Sequence, residues 1–387
     1  MNAQDMLTKL VGFNTISSQS NLELIQFVQN YLEDHHIPSH LVYNQEGTKA
    51  NLFATIGPQV AGGIVLSGHT DVVPVEGQPW DTDPFTLTEK GDRLYGRGTC
   101  DMKGFSAVGL SLVPEMLKAE LKRPIHFALS YDEEVGCTGV PTLVEAMEKN
   151  LPPIDAVIVG EPSMMNIIDA HKSLHAYKTV VTGSAAHSSL THQGVSAVMN
   201  AAILINFLQE QADDLRLNAD PNSRFDPPYT TIHVGVVHGG TALNIISEHC
   251  EFLWDVRAVP GDDPGRYADL LQNKANELLA KMHQVAPDTT ITTTRIANAS
   301  PFRPEPNGGR AREIVSDILK DQEAAAVSYV TEAGIFQDAG YSTIICGPGS
   351  IEQAHKPNEY VSLEQLTMCE EFLRALIDRQ AMPFPSS

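Results

Sequence analysis

Cysteine is scarce in this chain of 387 residues: Cys100, Cys137, Cys250, Cys346 and Cys369 are the five, an odd number with no Cys-x-x-Cys pair. No disulfide framework is expected, and the pattern points to reduced thiols in a cytosolic protein. Basic residues are also short. Lys and Arg total 26 against 48 Asp and Glu, a net charge of −22. Neither a nucleic acid nor an anionic membrane surface is expected as partner, because each contact would oppose the global field. No run of about 18 apolar residues occurs, so no membrane span is expected. The opening stretch MNAQDMLTKLVGF carries Asp5 and Lys9 but no apolar h-region, so the expectation is no signal peptide and a cytoplasmic location. Short-period repeats and low-complexity tracts are missing too.

What is present is enough chain for two domains. Short apolar strands at Asn51–Ile56, Gly63–Ser67, Ile125–Ser130 and Ala156–Val159 alternate with helical stretches at Leu22–His35, about Gly104–Leu117 and about Gly139–Lys149. That alternation predicts an α/β fold with a mostly parallel, helix-covered sheet. The Ser/Asn-rich Ser17–Asn21 is placed to cap the first helix. Around Ala176 the texture changes to two β-α-β units in a row, Tyr177–Thr182 through Tyr229–Val237 and Glu251–Ala258 through Thr289–Ile296. Four strands and two helices suit a smaller, ferredoxin-like antiparallel α/β sandwich. The linker ASPFRPEPNGG then returns the chain to helix (Arg310–Leu319) and strand (Thr343–Cys346). The expected architecture is one domain (1–175 and 297–387) interrupted by another (176–296).

The residues that carry chemistry sit just past strands. His69 and Asp71 follow IVLSG, Glu133 and Glu134 follow HFALSY, Glu161 follows AVIVG, and His355 follows TIICG; Asp101 lies in the Gly-flanked loop YGRGTCDMKG. In open α/β sheets a site forms outside the carboxyl ends of parallel strands, so these positions are expected to converge. Singly, each has an ordinary reading: a hydrogen-bonded loop histidine, a solvated Glu-Glu turn or, for Asp101, a helix N-cap. Jointly, that many acids in one place require a cation to offset repulsion and desolvation. Two imidazoles with carboxylates and no thiolate suit Zn²⁺, with Co²⁺ or Mn²⁺ as substitutes. Two ions bridged by one carboxylate would form a dinuclear centre. His69 and Asp71 share a face of an extended segment, so Asp71 is placed to accept the far N–H of His69 and fix its tautomer. Of the adjacent Glu133 and Glu134, one can bind metal while the other acts as general base.

SGHTDVVP, LYGRGTCDMKGF, YDEEVG, VGEP and GPGSIEQAHKPNEY, in this order over nearly the whole chain, resemble the M20 metallopeptidase family. The resemblance implies a catalytic α/β domain interrupted by a lid that mediates dimerisation, hence a homodimer. It implies that His69 and Glu161 hold one metal and Glu134 and His355 the other, with Asp101 bridging, Glu133 as general base and Asp71 as orienting acid. His187, in TGSAAHSS, matches a lid histidine that in family dimers reaches the partner's active site and polarises the scissile carbonyl. Substrate-carboxylate contacts would fall on Asn244, Arg257 and Thr331. The wording DMKGF, DEEVG and GPGSI-x-QAH implies the branch acting on a small N-acyl amino acid, N²-acetyl-L-ornithine, to give L-ornithine and acetate in arginine biosynthesis. Succinyl-diaminopimelate desuccinylation, or hydrolysis of another N-acyl amino acid or dipeptide, is the alternative with the same ligand set. A non-catalytic, metal-binding dimeric scaffold is the remote one. Glu332, beside Thr331, is a candidate to read the ornithine δ-ammonium, with a surface salt bridge as its ordinary role.

Overall fold

The computed structural model describes residues 1–320 and 322–383. In chain order these form α1 (Ala3–Val11), α2 (Leu22–Asp34), β1 (Ser39–Tyr43), β2 (Ala50–Ile56), β3 (Gly63–His69), β4 (Thr88–Lys90), β5 (Arg93–Tyr95), α3 (Lys103–Ser111), α4 (Val113–Lys118), β6 (Ile125–Ser130), α5 (Val140–Asn150), β7 (Ile154–Pro162) and β8 (Ile168–His171). There follow β9 (Leu174–Thr182), α6 (Ala197–Leu217), β10 (Thr231–Gly239), β11 (His249–Arg257), α7 (Gly265–Met282) and β12 (Thr290–Ala299). The chain closes with α8 (Gly309–Leu319), β13 (Ala325–Val327), α9 (Ala333–Asp338), β14 (Thr343–Gly347), β15 (Tyr360–Ser362) and α10 (Leu363–Ala381). Two compact units result: one of residues 1–169, 303–325 and 331 onward, the other of residues 170–302 and 326–330. The boundaries expected at 175/176 and 296/297 fall inside β9 and β12. The pairing of Leu174 with Ala299 and of His175 with Asn298 carries that sheet past the apolar alternation visible in the sequence.

The first unit is built on a sheet ordered β1-β2-β6-β3-β7-β14-β8-β13. Its centre, β6, β3, β7 and β14, is parallel, and β1, β2 and β8 are antiparallel to their neighbours. Every residue of β3, β6 and β14 is buried. Strands covered on both faces read as continuous apolar runs rather than alternations, which is how IVLSG, IHFALS and TIICG appear. Gly160 in β7 is required by close packing: a Cβ there would stand 2.0 Å from the Phe105 ring of α3. The helix expected over 104–117 is two helices, since Pro114 falls in the first turn of α4. Proline lacks the N–H an unbroken helix needs and is tolerated at that position. Asn21 occupies the N-cap position of α2 without capping it. Its amide is bound instead to the Ala50 main chain and the Thr70 hydroxyl.

The second unit runs β9-α6-β10-β11-α7-β12, with an antiparallel sheet ordered β10-β11-β9-β12, the ferredoxin-like arrangement. Burial alternates along β11, with Cys250, Phe252, Trp254 and Val256 inward. Trp254 stacks on Tyr177 at 4.4 Å between centroids and donates its Nε1–H to Thr179 Oγ1 at 3.0 Å. β10 forms one edge of this sheet. All five cysteines are free and buried. Among the described residues no helix is long and apolar enough to cross a membrane.

Candidate metal centre

Because β6, β3, β7 and β14 are parallel, their carboxyl ends share one edge of the first unit, with His69 registered against Ser130. His69 is buried, and its Nδ1–H donates to the main-chain oxygen of Asp71 at 2.8 Å. In the neutral ring that bond fixes the proton on Nδ1 and leaves Nε2 open to bind a metal. Nε2 stands 3.0 Å from Asp101 Oδ1 and 3.7 Å from Glu161 Oε1. The second oxygen of Asp101, Oδ2, stands 3.2 Å from His355 Nε2, which in turn lies 2.9 Å from Glu134 Oε2. One carboxylate thus stands between two imidazoles, and each imidazole has a further carboxylate of its own. The ligand atoms of His69, Glu133 and Glu161 lie within 4.8 Å of one another, as do those of His69, Asp101 and Glu134.

Asp71 and Asp101 are used differently from their simplest sequence readings. The main-chain oxygen of Asp71, not its carboxylate, takes the close bond from His69; Asp71 Oδ1 is 3.8 Å from Nδ1. The carboxylate accepts the main-chain N–H groups of Glu133 at 3.1 Å and Glu134 at 3.2 Å, and the Ser17 hydroxyl at 2.7 Å. It therefore orients the segment that carries both glutamates. That segment is a turn rather than extended backbone, closed by the Gly136 and Cys137 N–H groups donating to the Glu133 carbonyl at 2.9 Å. Asp101 is not an N-cap: Met102 occupies that position of α3, and no side chain caps it.

Burial pushes the carboxyls of Glu133 and Glu161 well above the usual range, and that of Glu134 up to about 7, with the Asp101 charge adding to each. Hydrogen bonds to Asp101 and Glu134 raise His355 to about 10. For Asp101 burial is outweighed by the two imidazoles, which hold it below the usual carboxylate range. Glu161 Oε1 is buried and has no hydrogen-bond partner. An orphaned carboxylate oxygen among like charges is costly, and a divalent cation supplies what it lacks. Imidazole nitrogens and carboxylate oxygens are also the donor set that Zn²⁺, Co²⁺ or Mn²⁺ accepts. The residues present fit a metal.

Some contributors escaped the sequence reading. Glu359 is buried: its Oε1 accepts the main-chain N–H groups of Cys100 at 2.8 Å and Asp101 at 3.0 Å, while Oε2 accepts Gly98 N–H at 3.0 Å and the Arg97 guanidinium at 2.7 Å. Its place four residues after His355 in HKPNEY, with an arginine in YGRGTCD to pair with, was the available signal. Cys137 donates its thiol to Glu133 Oε1 at 3.4 Å. Glu332 is fully buried rather than in a surface salt bridge, its oxygens accepting the Ser67 hydroxyl at 2.5 Å and the Ser130 hydroxyl at 2.7 Å. Thr331 is buried too, and its Oγ1 accepts the Ala333 N–H at the start of α9.

In the second unit His187 is exposed. Its Nδ1 accepts the Ser189 N–H at 3.2 Å, so the ring proton sits on Nε2. His187 bridges to Ile245, and Ser188 N–H donates to the Asn244 carbonyl at 3.0 Å, which brings His187 and Asn244 together. Arg257 is not with them. It closes β11, whose nine residues span about 26 Å, while Asn244 precedes the start of that strand.

A parallel sheet that gathers imidazoles and carboxylates at its carboxyl edge, around one doubly shared aspartate, defines a metal-dependent hydrolase. The family model for peptidase family M20/M25/M40 matches residues 65–379, and the chain belongs to that family. An acetylornithine deacetylase of Myxococcus xanthus is 35% identical over 380 residues, covering 95% of this chain and 94% of that protein. One from Pasteurella multocida (strain Pm70) is 33% identical over 380 residues, covering 96% of each. Among solved structures, the M20 family metallo-carboxypeptidase Sso-CP2 from Sulfolobus solfataricus superposes with a TM-score of 0.79 at 18% identity, covering 98% of this chain and 99% of that one. Human carnosine dipeptidase 1 gives a TM-score of 0.74 at 16% identity, covering 98% and 96%. At these identities the structural likeness speaks for the fold.

Proposed function

We propose that the protein is a deacylase of small N-acyl amino acids that releases L-ornithine and acetate from N²-acetyl-L-ornithine, a reaction of arginine biosynthesis. The observation that carries the reading is Asp101 standing between His69 and His355, with Glu133 as a further buried carboxylate beside them. The names of relatives about a third identical along nearly the whole chain support the substrate. We assign His69 and Glu161 to one divalent cation, Glu134 and His355 to a second, and Asp101 to both. Zn²⁺ suits the donors best. Cations held there acidify a water and polarise the amide carbonyl.

Glu133 takes the proton of the attacking water as the C–O bond forms, and delivers it to the amine nitrogen as the C–N bond breaks. A carboxyl raised by burial is suited to holding that proton between the two steps. His187 donates from Nε2–H to the carbonyl oxygen as charge develops on it. Asn244, Arg257 and Thr331 are assigned to the substrate carboxylate. A single copy of the second unit cannot present His187, Asn244 and Arg257 to one small molecule, because β11 lies between them. We therefore assign His187 and Asn244 to a second copy, in a homodimer. The edge strand β10, with Val236 (38%) and Val237 (51%) exposed on it, supports this, as an apolar edge left open invites pairing. The free cysteines agree with work in a reducing cytoplasm.

The test is amine release by metal-loaded protein from N²-acetyl-L-ornithine, N-succinyl-diaminopimelate, other N-acyl amino acids and dipeptides. The highest kcat/KM is expected on acetylornithine. A preference for dipeptides or the succinyl compound would move the substrate assignment, and no turnover on any of them would leave a metal-binding scaffold.

A further inference from the structure

His355 is the least protected member of the centre. Its side chain is 55% exposed, it lies outside any strand or α-helix, and its φ is +61°. Asn358, three residues on, also has a positive φ, of +57°. That left-handed conformation is uncommon outside glycine, although histidine and asparagine adopt it more readily than most residues, and contacts hold the segment in it.

Those contacts come from the loop after Asp71. Gln78 Nε2 donates to the main-chain oxygen of His355 at 3.0 Å. Gln78 Oε1 accepts from Arg97 at 2.6 Å and from Trp80 Nε1 at 3.1 Å. Asp81 and Asn358 are joined twice: Asp81 N–H donates to Asn358 Oδ1 at 2.9 Å, and Asn358 Nδ2 donates to Asp81 Oδ2 at 3.1 Å. Arg97 also donates to the Lys356 carbonyl at 3.3 Å and lies over the Trp80 ring. Asp101 is anchored through its main-chain N–H to Glu359, one residue past Asn358.

We propose that Gln78 and Asp81 form a clasp that positions His355, and that this clasp sets the affinity of the second metal site far more than that of the first, which shares only Asp101 with it. The inference rests on the two-cation reading above. In chemical terms, the clasp acts through the backbone of a ligand, and residues that orient a ligand commonly change metal affinity 10- to 100-fold when removed. The ligands that only the first site uses, His69 and Glu161, sit on strands β3 and β7, which pair directly and make no contact through the clasp.

The experiment is a Co²⁺ titration of metal-free protein, followed by calorimetry and visible absorption. Four proteins are compared: wild type, Gln78→Met, Asp81→Ala and the double variant. Wild type should bind two equivalents. In the double variant the weaker equivalent should lose about 10- to 100-fold in affinity, the tighter one should move far less, and the metal-free protein should still unfold in a single cooperative transition. Asp81→Asn, which keeps an acceptor for Asn358, should restore the wild-type curve. Two unchanged equivalents, or two weakened alike, would overturn the clasp. A wild type that binds fewer than two ions would instead overturn the two-cation reading itself.

Discussion

The two units place the side chains assigned above to function in opposite settings. In the first, His69 is 1% exposed with one ring nitrogen bound by main chain and the other facing carboxylates, and Asp101 is bound at its carboxylate and its backbone N–H. In the second, His187 is exposed and fastened on one side by Ser189, above a core of Phe252, Trp254 and Tyr177 that closes without it. The reason is chemical. Charges that hold a metal need exclusion of water and many partners, so in the first unit electrostatics and fold share the same contacts. A hydrogen-bond donor offered to a substrate needs only a rigid mount. Function should therefore be separable from folding in the second unit and entangled with it in the first.

Glu133→Gln tests the boundary of that contrast and has the largest expected effect. If Glu133 is the base, kcat should fall by about 10²–10⁴ while both metals stay bound, as metal analysis would show. Removing one of the clustered negative charges should also make the metal-free variant more stable than wild type at neutral pH, since burial and its acidic neighbours disfavour the ionised Glu133. Loss of one metal equivalent would exchange the roles of Glu133 and Glu134. His187→Ala comes next. It should lower kcat by about 10²–10³ and leave the unfolding midpoint where it was. Mixing it with Glu133→Gln protomers under subunit exchange should restore activity, because one site of each mixed dimer has both groups intact. No recovery in demonstrated heterodimers would place His187 in the service of its own subunit or of none.

Much of this was readable from the sequence, and what was not has a physical cause. The parallel centre was legible because strands covered on both faces must be apolar throughout, and candidate ligands at their ends then stand out as polar residues after TIICG or AVIVG. The ferredoxin-like unit was legible from its alternation and element order. Boundaries were not, since the pairing of Leu174 with Ala299 leaves no apolar signature. Nor were the partners of the ligands. That Glu359 holds the Cys100 and Asp101 amides depends on a contact across 258 positions of sequence, and main-chain acceptors such as the Asp71 carbonyl are invisible to residue type. For Glu332 the sequence left a substrate-reading role and a surface salt bridge as equal alternatives, because nothing beside it marks Ser67 and Ser130 as its partners.

The smallest effect concerns a buried imidazole that belongs to the fold of the first unit and to no site. His126 lies in β6, fully enclosed, with Nδ1 beside Thr55 Oγ1 at 2.9 Å and Nε2 without a partner. Burial lowers its pKa from 6.5 to about 4. The unfolded chain, with a pKa near 6.5, therefore binds the proton more readily than the folded one between these values. Stability contributed by the neutral ring is present above pH 6.5 and is lost as pH falls toward 4. The full loss corresponds to about 3 kcal/mol, taking about 1.4 kcal/mol per pKa unit. In His126→Leu the titrating group is gone, while the Thr55 hydroxyl, only partly buried, can turn to water. The difference in stability between variant and wild type should then swing toward the variant by up to that amount between pH 6.5 and 4, and stay flat above 7. Activity at pH 7.5 should be unchanged. Denaturant midpoints of the two proteins measured across this range decide it: parallel curves would mean that the ring is solvated or protonated in the folded state, and that burial in the first unit is less complete than its strands imply.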